Sequence, residues 1–329
     1  MPGPTRHPAL CALLIAALAT LAGCAGRPSA KDYAAYESML QVSGKLRTET
    51  APADAPYDAA DLARNFARIA LAREADPARP GGYDNYRPSP LRRWHGPIRY
   101  RLHGGAVTPE DRAETARLMT RVAGLTGLDI AEAEQGPGQG PEQGPGQGPG
   151  QGTEQETNFL ILITTPDERD RIAAWLAERV PQFQQAFRFW RQQRNVICVA
   201  DNLPLREHPD LIGAAMVVIG AETTGLLRRA CLHEEVVQAL GLANDHPAVR
   251  PSVFNDDGEF ALLTEHDELL LRMLYDHRLA PGMTAAEALP LTHRIARELV
   301  PGAGGITARE PRSRLPSPSP QPPGRPPRG

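Results

Sequence analysis

An apolar run from Ala9 to Ala22 opens the chain. The sequence then turns polar and alanine-rich, and a hydrophobic rhythm returns only near residue 59. Residues 24–57 lack clear periodicity and read as a tether. From Ala59 onward, Leu62, Phe66, Ile69 and Ala70 recur at helical spacing and predict a helix to about Glu74. Pro77, Pro80, Gly81 and Gly82 interrupt it. Trp94 to Leu102 alternates like a half-buried strand. Thr108 with Asp111 predicts a capped helix whose apolar side carries Leu118, Met119 and Val122. Asn158 to Ile163 is a strongly apolar run and predicts a buried strand. A helix follows over Asp167–Val180, then strands at Val196–Val199 and Ala214–Gly220. The last of these leads directly into a long helix from about Thr223 to Leu240.

Composition sets the domain limits. Gly (30) and Pro (33) concentrate in two segments that cannot bury apolar area. Residues 134–156 are a Gly/Pro/Gln-rich insert, and residues 303–329 are a Pro-rich tail of polyproline-like character. Between them, residues 58–302 predict one α+β domain, with roughly 220 residues available for a single core. Net charge is -3 with a pI near 6.3, so nothing in the charge balance points to nucleic acid.

The first 23 residues have the parts of an export signal: Arg6 and His7, the apolar run, then small residues. That run, about 14 residues long, is too short to cross a bilayer core of ~30 Å. Leu21-Ala22-Gly23-Cys24 resembles the lipobox of bacterial lipoproteins, which implies acylation of Cys24 and a membrane anchor. Ala25 stands where an Asp would mark inner-membrane retention, so the resemblance points to the outer membrane, facing the periplasm. Of four cysteines, Cys11 leaves with the signal and Cys24 takes the lipid. Cys198 and Cys231 remain, and an oxidising compartment favours a disulfide between them.

The candidate chemistry lies at the end of the long helix. His233-Glu234 cannot open an HExxH zinc motif, because the second ligand would fall on Val237. One register later, Glu234-Glu235-x-x-Gln238-x-x-Gly241-x-x-Asn244 has the spacing of the metzincin motif HExxHxxGxxH. The flanking Ala239-Leu240-Gly241-Leu242 and the downstream Leu263-Thr264-x-x-Asp267-x-x-Leu270-x-x-Met273-Leu274-Tyr275 are similar to the same proteases. The block from Cys231 to Met283, with SVFND and LLRMLYD, resembles a bacterial lipoprotein family catalogued as domain of unknown function 2927, over roughly residues 60–290.

The resemblance implies a metzincin-like domain: a mixed, mostly parallel sheet with a central helix of the active-site type. It places Glu235 at the general-base position and Glu234, Gln238 and Asn244 at the three metal positions, none of them histidine. No Met lies between Asn244 and Thr264 to form the turn beneath a metal. Zinc prefers imidazole and thiolate, so no zinc is expected; one carboxylate and two amides would suit Ca²⁺ or Mg²⁺ better. Without a metal, Glu235 has no polarised water to deprotonate.

The first expectation is therefore a non-catalytic envelope protein that holds a peptide, glycan or partner in the former cleft. The second is a hydrolase using Glu235 with atypical ligands drawn from His233, Asp245 or His246. The third is a structural lipoprotein whose Pro-rich tail meets the cell wall or another partner. Asn255, Asp256, Asp257 and Glu259 read as a polar turn, with a cation loop as the alternative.

Overall fold

The computed structural model describes residues 28–73, 87–133, 157–179, 197–255 and 257–301. The signal segment, Cys24, the Gly/Pro/Gln insert and the Pro-rich tail lie outside these residues.

Seven helices occur among the described residues: α1 (Ala30–Val42), α2 (Ala59–Ala70), α3 (Pro109–Thr126), α4 (Pro166–Arg179), α5 (Gly225–Gln238), α6 (Glu265–Leu274) and α7 (Ala285–Leu299). The strands are β1 (Ala72–Arg73), β2 (Arg87–Pro88), β3 (Arg93–Trp94), β4 (Ile98–His103), β5 (Ile130–Glu132), β6 (Phe159–Thr164), β7 (Cys198–Leu205) and β8 (His208–Gly220). β1 and β2 form a small antiparallel ribbon. In the main sheet β3, β8, β6, β4 and β5 follow one another in parallel, and β7 runs antiparallel along β8. The mixed, mostly parallel sheet is thus present.

Hydrophobic alternation carries β4, in which Ile98, Tyr100 and Leu102 are buried while Arg99 and Arg101 between them are only half-buried. β6 is apolar on both faces because it lies between β4 and β8. Phe159, Ile161, Ile163, Val217 and Ile219 meet Val236, Val237 and Leu240 of the α5 segment in one core. Capping boxes start α2, α3 and α6, with Thr108–Asp111 and Thr264–Asp267 paired as expected.

Three elements differ from the sequence reading. The stretch read as a tether is folded over residues 28–57. α1 buries Tyr33 and Leu40 against Leu46, Leu227 and Ala261. Beyond it, Leu46 and Arg47 donate their amides to the Gly258 and Glu259 carbonyls at 2.9 and 2.7 Å. Two buried side chains among many alanines leave too narrow a stripe to register as periodicity. The strand expected at Val196–Val199 runs instead from Cys198 to Leu205. Asp201, Asn202 and Pro204 hide it in sequence, and an edge strand with a register shift at Pro204 tolerates all three. α7, with Pro290 inside it, had no counterpart in the sequence reading.

Candidate functional site

α5 is held at both ends and along its length. Its N-cap, Thr224, makes no side-chain cap; the Glu37 carboxylate of α1 accepts the Leu226 amide instead, at 2.9 Å. Arg228 donates to the Thr223 and Ala221 carbonyls and to Asp111 at 2.9 Å. Cys231 is bonded to Cys198, with Cα atoms 5.8 Å apart, tying the helix to the first residue of β7. The expected disulfide is present.

His233 immediately precedes the motif and is buried. Its Nε2 lies 2.8 Å from Glu114 and its Nδ1 accepts the Leu263 amide at 3.2 Å. That pair of contacts fixes the neutral tautomer with the proton on Nε2. Burial holds its pKa below 6.5 despite Glu114. His233 is therefore a brace between α5, α3 and the chain entering α6. His246 likewise spends its Nδ1 on the Ala248 amide, at 3.0 Å.

Glu235 is buried, and burial first, then the charge of Asp245, pushes its carboxyl well above the usual carboxylate range. The Ala200 backbone amide bonds to it and opposes that shift. The register explains why this amide is free to do so. Gly220 donates to the Ile197 carbonyl, so in this antiparallel ladder residues 199 and 201 face β8 while 198, 200 and 202 point their amides and carbonyls outward. Among the described residues β7 pairs only with β8. Glu235 meets the outer edge of β7 through the Ala200 amide.

The three residues that the resemblance assigned to a metal do different work. Glu234 is half-buried on α5. Gln238 donates Nε2 to Asp245 at 2.7 Å. Asn244 is buried and donates Nδ2 to the Arg68 carbonyl at the end of α2, at 2.7 Å; its Oδ1 has no hydrogen-bond partner among the described residues. Gly241 ends the helix segment at φ +120°, where a Cβ would stand 2.3 Å from the Arg92 carbonyl oxygen. The chain beyond it is clamped by Tyr275, which donates to the Leu240 carbonyl at 3.0 Å and accepts the Trp94 amide at 3.1 Å.

Gln238 and Asn244 thus each give their amide nitrogen to a protein partner, and no group of three His, Cys, Asp or Glu side chains among the described residues is gathered as a metal site. In the turn after Val253-Phe254 the described acids face basic side chains. Lys45 pairs with Asp257, while Arg47 and Arg250 pair with Glu259. Asp256 lies outside the described residues. Asp267 organises the turn, accepting the Val253 and Thr264 amides at 3.1 and 2.9 Å.

Sequence reasoning treated Asp245 only as a spare ligand and overlooked the Ala200 amide. Asp245 follows the motif directly and could have been weighed as a partner for Gln238. The Ala200 contact had no sequence signal, since it depends on pairing across the sheet.

The chain matches no curated protein and no solved structure. Over residues 59–294 it matches the family described as Protein of unknown function (DUF2927), and it belongs to that family.

Proposed function

We propose that this is a cell-envelope lipoprotein, anchored through an acylated Cys24 in the outer membrane and facing the periplasm. Its metzincin-like domain holds a peptide, glycan or protein partner at the former active site without cleaving it. The disulfide supports export to an oxidising compartment. The mostly parallel sheet, with its last parallel strand leading into a central helix, supports the metzincin-like reading.

One observation carries the non-catalytic reading: none of the three positions holds an imidazole or thiolate, and Gln238 and Asn244 are oriented by internal hydrogen bonds of their amide nitrogens to Asp245 and Arg68. The binding role rests on the outer edge of β7, which no strand among the described residues pairs and whose outward backbone groups beyond the Ala200 amide suit an extended ligand. A second reading, a hydrolase, draws on Glu235. A buried carboxyl that keeps its proton towards neutral pH is suited to general acid catalysis, with Asp245 beside it.

Metal analysis of the purified protein, before and after chelation, combined with peptide and glycan hydrolysis assays, separates the two. The binding reading expects no stoichiometric zinc and no hydrolysis. Tightly held zinc, or cleavage abolished by Glu235→Gln, would overturn it.

A further inference from the structure

The fold leaves almost no slack between the proposed anchor and the domain. Residues 28–57 are part of the folded body rather than a leash. Ser29 opens α1 through a capping box with Asp32, Glu37 is fixed on the Leu226 amide at 2.9 Å, and Ala261 donates back to the Arg47 carbonyl at 2.8 Å. Only the interval from Cys24 to Ser29 is left to span the distance to the lipid, and five extended residues reach at most about 18 Å. α1 itself is about 20 Å long. A protein anchored at Cys24 therefore has to keep α1 close to the bilayer.

The surface that α1 turns outward matches such a position. Lys31, Ala35, Ser38, Met39 and Val42 follow helical spacing and are all exposed. Met39 and Val42, at 42% and 90% exposure, are the exposed large hydrophobic residues among those described. Of the two acids of α1, Glu37 is turned to α5, while Asp32, bonded to Ser29, is exposed beside Lys31, so the pair leaves this face without net charge. A balanced charge pair at its start, small side chains and two apolar ones form a surface that a lipid headgroup layer accepts.

Resting on the proposed acylation of Cys24, we infer that the outward face of α1 lies against the lipid bilayer. This orients the domain with α1 at the membrane. It also makes α1 a link between membrane contact and the site helix, through Glu37 at the N-terminus of α5.

The test uses the full-length acylated protein in vesicles of phosphatidylethanolamine and phosphatidylglycerol. A fluorophore is placed on Val42→Cys or, separately, on Arg297→Cys of α7, which packs on α2 and α6. Quenching by spin-labelled lipid is then read for each. Several-fold stronger quenching at position 42 than at 297 is expected, and Val42 carrying the label while Met39→Glu is introduced should reduce it. Equal quenching at both positions, or none at 42, would overturn the inference. Mass analysis of the N-terminal peptide runs in parallel. Lipid on Cys24 with no quenching at 42 defeats the orientation alone, whereas an unmodified Cys24 defeats the anchor and the orientation together.

Discussion

Gln238 on α5 donates its amide to Asp245 at 2.7 Å, joining the last turn of the site helix to the chain beyond Gly241. The same Asp245 raises the pKa of Glu235. One carboxylate thus connects Gln238 with Glu235. The bond uses the amide nitrogen of Gln238 and stabilises the turn.

Replacing Gln238 with Ala should cost about 1 kcal/mol, at the lower end for a hydrogen bond to a charged group because the pair is partly exposed. The double variant with Asp245→Ala should lose less than the sum of the two single variants, since both act on one contact. Urea unfolding of all three proteins measures this, and strictly additive losses would contradict the pairing.

Glu235 gives the site a definite pH dependence. A raised carboxyl pKa means that the folded protein binds the proton more tightly than the unfolded chain. Its favourable contribution is complete below the ordinary value of 4.5 and declines as pH rises above it. Glu235→Gln keeps an acceptor for the Ala200 amide but carries no charge. The variant should therefore gain stability relative to the native protein as pH increases above 4.5, and the two should converge in acid. Denaturation midpoints measured across that range decide the matter. A constant difference would mean that Glu235 does not titrate differently on folding.

The Cys198–Cys231 bond closes a loop with a sequence separation of 33. Replacing both cysteines with Ser should cost about 3–4 kcal/mol in the chain-entropy model. The loss should be felt first along β7, which among the described residues is bound to one neighbouring strand. Hydrogen exchange should show the amides of Val199 and Asp201, which face β8, losing protection ahead of those in β6. Uniform loss across the sheet would argue against β7 as the element that the bond secures.

Gly241→Ala should be among the most damaging single changes. The new methyl would meet the Arg92 carbonyl oxygen at 2.3 Å, and the backbone there holds φ at +120°. Strain plus displacement of β3 should cost about 3 kcal/mol or more. Thermal unfolding gives the value, and a near-neutral effect would show that the turn can relax.

Local patterns determined much of this protein. Hydrophobic spacing marked α2, β4, β6 and α5, and short-range caps marked the starts of α3 and α6, because such signals are written within a few residues. The acidic motif on α5 and the cysteine pair were legible for the same reason. Tertiary structure alone decided the rest. The helix at Ala30–Val42 forms where alanines give little periodicity, because Tyr33, Leu40 and Glu37 find partners some 190 residues away. β7 takes shape from pairing with β8 despite its polar residues. The elevated pKa of Glu235 comes from burial and from Asp245 brought alongside it, which residue spacing on one helix could not reveal. His233 became a brace because Glu114 arrives from another helix. Contacts between distant segments set the solvation and charge around each of these side chains, and residue spacing within one helix carries no record of them.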